Sequence, residues 1–232
     1  MIRAMSEQRT PHEVPDVAGL SIAVLGGTGD QGRGLARRFA LAGHEVIIGS
    51  RSAERAAAAA GELGAGLGIR GADNAAAAEQ GDVVIVAVPW EGHRGLLASL
   101  EGPLAGKIVI DCVNPLGFDK KGPFALPVEE GSAAQQAEAV LPRSRVVGAF
   151  HHVSAVTLLN PEVEKIDLDV LVLGEDREAT DIVRALAARI PGFRGIYAGR
   201  LRNAHQVEAL TANLIAINRR YKAHAGVRVT DV

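Results

Sequence analysis

The chain has 232 residues, of which 47% are hydrophobic, 22% charged and only 3% aromatic, a globular composition with an aliphatic core that excludes a disordered, collagen-like or disulfide-dense chain. At about 150 residues per domain its length lies between one domain and two. A formal net charge of −2 without a Lys/Arg block argues against a nucleic-acid partner, and a single cysteine, Cys112, without a Cys/His cluster at ligand spacing, offers neither an internal disulfide nor a metal site and points to a reducing cytoplasm.

Residues 1–19 mix charged side chains with two prolines and read as a polar leader without the apolar core of a signal peptide. The longest apolar run, 83–90, contains Pro89 and falls far short of the ~20 residues of a membrane span, so no membrane partner is expected. From Ser21 onward short apolar runs at 21–25, 45–48, 67–70 (weak), 82–88, 107–111 and 146–150 read as buried parallel strands. Between them 34–42 and the alanine-rich 53–63 read as helices. Residues 115–127 read as a loop, and 132–141 as a helix. The last third offers a strand at 168–173, a helix at 176–190 stopped by Pro191-Gly192, and a short strand at 194–197. A final helix at 203–223 carries a narrow stripe of Val207, Leu210, Leu214, Ile217 and Tyr221, which packs on the chain's own core or on a second subunit. Strand-helix alternation of this type predicts an α/β, Rossmann-type doubly wound, mostly parallel sheet. A boundary near 149–153 divides it into a dinucleotide-binding domain, 20–150, and a smaller C-terminal domain, 151–232.

The strongest local signal is GGTGDQG at 26–32, directly after a predicted strand and before a helix. Gly27, Gly29 and Gly32 satisfy G-x-G-x-x-G: the first glycine for the tight turn, the second for approach of a pyrophosphate, the third for close packing of helix on strand. Helix N–H groups around Gly29, Asp30 and Gln31 then face the phosphates. The second strand ends in Gly49-Ser50-Arg51, with Arg55 four residues further on, and carries no Asp or Glu for a ribose 2′-hydroxyl. A hydroxyl and two guanidinium groups suit a 2′-phosphate, which selects NADP over NAD. Val88 and Pro89 end the fourth strand and Asn114 follows the fifth, at the carboxyl edge where open sheets bind ligands; the first two are expected near the nicotinamide ribose and Asn114 near the nicotinamide.

Hydrolase and zinc-protease motifs are missing, which narrows the chemistry to redox. Proton-acceptor candidates are His93, His151, His152, Tyr197, His205 and Tyr221, with the pair His151-His152 favoured for its place at a strand end. Cys112 reads as a small buried hydrophobe. The combination of GGTGDQG, GSR with Arg55, VPWEGH at 88–93, SAAQQAEAVLP from Ser132, AFHHVSA at 149–155 and NAHQVEALT at 203–211 resembles the NADPH-dependent reductases of coenzyme F420. The resemblance implies a small C-terminal α/β part folding back over the cofactor cleft, NADP(H) as cofactor with coenzyme F420, a deazaflavin, as co-substrate, and direct hydride transfer between them. By that likeness Thr28 to Gln31, Ser50, Arg51, Arg55, Val88 and Ala155 contact NADP, His151 positions the deazaflavin ring, and Val227 borders it, while His152 and Ser154 depart from the pattern. Arg200, Arg202, Arg219, Arg220 and Lys222 form either a cationic rim for the deazaflavin's acidic tail or a solvated helix face. The expected protein is a cytoplasmic homodimer. Alternatives are an NADP-dependent imine or hydroxy-acid reductase, and a non-enzymatic NADP(H) sensor.

Overall fold

The computed structural model describes residues 15–64 and 66–232. Residues 1–14 of the expected leader lie outside them, whereas Val17 is buried in the core.

The first half alternates strand and helix: β1 (Ile22–Leu25), α1 (Asp30–Leu41), β2 (Val46–Ser50), α2 (Ala53–Leu63), β3 (Ile69–Asp73), α3 (Asn74–Gln80), β4 (Val83–Val86), α4 (His93–Ser99), α5 (Glu101–Leu104) and β5 (Ile108–Asp111). Every residue of β1, β2, β4 and β5 is buried. Unbroken Val/Ile runs of this kind form strands covered on both faces. Two of these helices begin at side-chain caps: Ser52 accepts from the Arg55 N–H at the start of α2, and Asp73 from the Ala76 N–H at the start of α3. The sequence pattern did not reveal α3, α4 or α5, because their short alanine- and glycine-containing runs show no helical period.

The second half adds β6 (Leu116–Asp119), β7 (Gly122–Ala125), α6 (Ala133–Val140), β8 (Arg145–Gly148), α7 (Ala155–Leu159), β9 (Leu168–Gly174), α8 (Arg177–Ala188), β10 (Phe193–Gly199) and α9 (Ala204–Tyr221). Part of the segment expected to be a loop up to Pro127 is instead the hairpin β6–β7. Its turn is held by the Asp119 carboxylate, which accepts from the N–H groups of Lys121 and Gly122. Gly122 takes φ +121°, which only glycine adopts readily.

One eight-stranded sheet results, in the order β10-β9-β8-β5-β4-β1-β2-β3. All pairings are parallel except β8 with β9, which run antiparallel and carry the sheet across residues 149–153. Chain order reverses at β1, which has β2 on one side and β4 on the other. Ligands of open α/β sheets bind in the crevice at this switch point, outside the carboxyl ends of the strands. Two apolar clusters fill the layers on the faces of the sheet, one around Leu35, Phe39, Phe150 and Val183, the other around Leu97, Leu104, Ala134 and Leu201. In α9, Val207 and Leu214 pack inward, while Ile217 and Tyr221 of the same stripe remain 40% and 73% exposed.

Candidate active site

At the switch point the chain leaves β1 through Gly26, whose φ is +74°. A Cβ there would lie 2.6 Å from Val88 Cγ1 and 2.7 Å from the Ala87 carbonyl oxygen. The tight turn therefore belongs to Gly26 and not to Gly27, a correction to the motif reading. Gly27 is required for a different reason, since its Cβ would meet the Val24 carbonyl oxygen at 2.8 Å and Ile48 Cγ2 at 2.9 Å. At Gly32 the obstacle would be Gly27 Cα at 2.7 Å, so α1 rests directly on the turn. Gly29 differs from all three: a Cβ would find only the Gly26 oxygen, at 3.6 Å. Nothing in the fold itself demands glycine at that position, which leaves space for a ligand. Gly29 is also the N-cap of α1 and supplies no side-chain cap, so the orphan N–H groups of the first turn are available to an anion.

A cavity of about 650 Å³ opens along this turn, within the range of small-molecule sites. It joins Thr28, Gly29, Asp30, Gln31, Ser50, Arg51, Arg55, Val88 and Pro89, and adds Gly26, Asn74, Ala87, Gly92 and Leu96, to which the sequence reading assigned no cofactor contact. Neither Arg51 nor Arg55 takes part in an ion pair among the described residues. Two exposed guanidinium groups at the end of β2, beside a hydroxyl and without a carboxylate partner, suit a phosphate dianion. Asn74 stands beside them because β3 pairs with β2, and its Oδ1 is buried without a partner. The signal for Asn74 was its place at the end of the third strand, which read too weakly from its composition to draw attention.

The far end of the cavity is shaped by the turn after β4. Its 3₁₀ segment, Trp90–Gly92, leads into His93, which is fully buried and anchored on both ring nitrogens. Nε2 lies 2.6 Å from Asp111 Oδ2 and Nδ1 lies 2.9 Å from Gln136 Oε1. Burial alone would lower the imidazole pKa, but the Asp111 carboxylate and its short hydrogen bond raise it above the ordinary value. The network continues from Gln136 to Glu130, which pairs with Arg94. Glu208 of α9 meanwhile receives the N–H groups of Ala133 and Ala134 at 3.0 and 3.1 Å, with burial pushing its carboxyl up to about 7. Turn 88–92 is thus tied through His93 to β5 and α6.

His151 and His152 follow Phe150, a buried non-glycine residue at φ +64° held edge-on against Phe39. The bend turns both imidazoles inward, each 3% exposed, and neither lines the cavity. Burial pushes both down to about 4, leaving them uncharged at neutral pH. Both ring nitrogens of His151, and Oδ1 of Asn114, are buried without a partner. Backbone contacts organise the same corner: the His151 carbonyl accepts from Asn114 Nδ2 at 2.8 Å and Thr211 Oγ1 at 3.1 Å, and the Phe150 carbonyl accepts from Gln31 Nε2 at 3.3 Å. Asn114, Ala155 and Val227 do not line the cavity. Ala155 opens α7, whose last turn is capped by the buried Arg38 through the carbonyls of Thr157, Leu158 and Asn160. Val227 lies at the edge of β9, accepting from the Asp169 N–H. Cys112 is buried, its thiol directed at the Val86 carbonyl and its pKa raised by burial, as befits a core residue. Among the described residues no group of three His, Cys, Asp or Glu side chains is placed to hold a metal, and no helix is long and apolar enough to cross a membrane.

Residues 21–115 match the family model described as NADP oxidoreductase coenzyme F420-dependent. The F420-dependent NADP reductase of Methanothermobacter marburgensis is 40% identical over 223 residues, covering 92% of this chain and 99% of that protein. Its counterpart from Methanocaldococcus jannaschii is 39% identical over 224 residues, with 92% and 99% covered. A crystal structure from Arthrobacter sp. FB24, named for F420-dependent NADP reduction, superposes with a TM-score of 0.79 at 28% identity over 91% of this chain and all of that one. With identity at this level along nearly its whole length, the chain belongs to the F420-dependent NADP reductase family.

Proposed function

We propose that this chain exchanges a hydride reversibly between NADP(H) and coenzyme F420. The observation that carries the reading is the cavity itself, which joins a glycine turn open at Gly29 to two guanidinium groups without an ion pair among the described residues at one end and the Val88–Pro89 strand end at the other. In a chain of this family that is a dinucleotide cradle with a 2′-phosphate reader. When bound, the nicotinamide gives up or receives hydride at C4 and the deazaflavin does so at C5.

The protein's part is alignment. Thr28, Gly29, Asp30 and Gln31 receive the pyrophosphate at the start of α1, with Gly27 and Gly32 keeping turn and helix close enough. Ser50, Arg51 and Arg55 hold the 2′-phosphate. Val88 and Pro89 support the nicotinamide ribose on a turn braced by His93, and Asn114 and Ala155 flank the nicotinamide end. His151, neutral and buried, fixes the backbone carbonyl to which Asn114 is tied, and Val227 borders the deazaflavin. Residues 20–150 thus supply the dinucleotide half of the cleft and 151–232 its deazaflavin half. An uncharged histidine pair accords with a transfer that needs no strong base beside the rings.

The four exposed apolar side chains Phe118, Phe124, Ile217 and Tyr221, on the adjoining hairpin and α9, support a homodimer. The single free cysteine supports a cytoplasmic setting, and the absence of a Lys/Arg block from the sequence supports small-molecule rather than nucleic-acid partners. Purified protein mixed with NADPH and oxidised F420 is expected to bleach the deazaflavin's visible absorbance, and far faster than with NADH. Binding of NADPH without bleaching would refute the assignment and turn the search to imine or hydroxy-acid substrates, or to a sensor.

A further inference from the structure

The segment after α9 forms no helix or strand, yet it is fastened to the sheet through one carboxylate. Asp169, near the start of β9, has a side chain with no exposed surface. It accepts hydrogen bonds from Arg194 Nε at 2.6 Å and Nη2 at 2.7 Å, from Arg228 Nη1 at 3.0 Å and from the Val229 N–H at 2.6 Å. Its own N–H donates to the Val227 carbonyl at 2.8 Å. Arg194 uses its other donors on the carbonyls of Val229 and Val232, both at 2.9 Å, and Arg228 also pairs with Asp167. A buried carboxylate among Leu168, Val170 and Val172 is expensive unless every lone pair is met, and here donors on β10 and the tail meet them. The Arg194 hydrogen bonds hold its pKa down at about 2.

The location of this clasp follows from topology. Since β9 runs antiparallel to β8 and pairs Leu173 with Gly148, the stretch Leu168–Val172 overruns the end of β8 on the side where β1, β4 and β5 also end. The near end of the tail is tied to the same side: Ala225 N–H donates to Asn218 Oδ1 at 2.6 Å, and His224 Nδ1 lies 3.5 Å from Ser154 Oγ. Ser154, at the N-cap position of α7, ends the loop whose Phe150 and His151 carbonyls hold Gln31 and Asn114. Tail, loop and the first turn of α1 are therefore connected, but the dinucleotide cavity itself contains no residue beyond Leu96.

We propose that Asp169 is a positioning residue for the deazaflavin: its clasp on Arg194 and Arg228 holds residues 224–232 against the sheet edge, so that tail and loop together form the second wall of the cleft. The inference rests on the F420 reading above, and it separates the two cofactors. Deazaflavin binding depends on the clasp, whereas the pyrophosphate and 2′-phosphate contacts of NADPH, built from β1 to α2, share no partner with it.

The test uses the full chain with two variants, Arg228→Ala at a partly exposed position and Asp169→Asn at the hub. Dissociation constants for NADPH and F420 are read from their own fluorescence, and exchange of the Val229 amide reports the clasp. Loss of the charge-assisted bonds is expected to weaken F420 by about tenfold in Asp169→Asn, and by less in Arg228→Ala. NADPH affinity stays within about twofold, as for a site with no shared partners. Arg228→Lys, which keeps the charge, moves F420 affinity back toward the wild type. Faster Val229 exchange with F420 affinity unchanged would overturn the proposal, as would equal losses for both cofactors, which would mark a general loosening of the fold. Should Asp169→Asn fail to fold, the comparison of Arg228→Ala with Arg228→Lys decides. Wild-type protein that binds NADPH and not F420 would refute the functional reading itself, while wild-type binding of both with unaffected variants refutes only the clasp.

Discussion

At the scale of single residues, the glycines of the turn separate fold from function. Gly26→Ala places a side chain at φ +74° against a backbone carbonyl 2.7 Å away, and the left-handed conformation alone costs about 1–2 kcal/mol. That variant should unfold at lower temperature and lose NADPH affinity together. Gly29→Ala meets nothing closer than 3.6 Å, so its melting temperature should hold while NADPH binding weakens; a protein that melts early would show that Gly29 serves the fold after all. The same logic applies to the cation pair. Among the described residues Arg51 has no ion-pair partner to lose, so Arg51→Ala should leave stability unchanged and weaken NADPH by about 1.5–3 kcal/mol, the contribution of a charge-assisted hydrogen bond. NADH, which lacks the 2′-phosphate, should bind nearly as before. Dissociation constants for both cofactors check this, and an equal loss would show that Arg51 does not read the phosphate.

At the scale of elements, the turn that joins β8 to α7 links packing to pH. His151 and His152 are buried there and pushed by desolvation from 6.5 to about 4. In the unfolded chain they take up protons as the pH falls below 6.5, while the folded form resists until about 4. Stability is therefore fully present above the unfolded value and is lost as pH falls through that window, at up to about 1.4 kcal/mol per pH unit for each imidazole. His93 acts in the opposite sense. Its folded pKa is raised, so its contribution is complete below 6.5 and declines as pH rises through the folded value. Urea titrations across pH should show an acid limb that His151→Gln flattens by about one proton. An unchanged slope would mean that the imidazole is already solvated in the native state. None of this could be read from HHVS in the sequence, where the pair stood out as polar residues at a strand end. What the sequence could not convey is the positive φ of Phe150 at the bend where both rings are buried, and the hydrogen bonds that the Phe150 and His151 carbonyls accept from Gln31 and Asn114.

At the scale of the whole molecule, legibility followed from how local each cause is. Buried parallel strands announce themselves as continuous Val/Ile runs, and the segments that meet at the cavity stood out because Gly26 to Gly32 and Ser50 to Arg55 are each contiguous. Asn74 became visible only through the β2–β3 pairing, and the Asp169 clasp only through the reversal of β9, since both bring together residues distant in sequence. The hairpin β6–β7 was hidden because Gly117, Gly122 and Pro123 weaken a strand signal that the Asp119 turn then restores. The apolar stripe of α9 was legible as a stripe, but its division was not. Its first half is absorbed by the core while Ile217 and Tyr221 stay 40% and 73% exposed beside a hairpin whose Phe118 and Phe124 are 68% and 45% exposed. Large side chains left in water on two touching elements favour self-association. If that surface closes a homodimer, Ile217→Glu with Tyr221→Glu should halve the mass measured by light scattering. The folded protomer should barely register the change, because substitutions at exposed sites fall within about 0.5 kcal/mol. A wild-type protein that already scatters as a monomer would remove the homodimer from the proposed assembly. The cofactor cavity, whose lining lies entirely on β1 to α4 and the turns between them, would be untouched by that result.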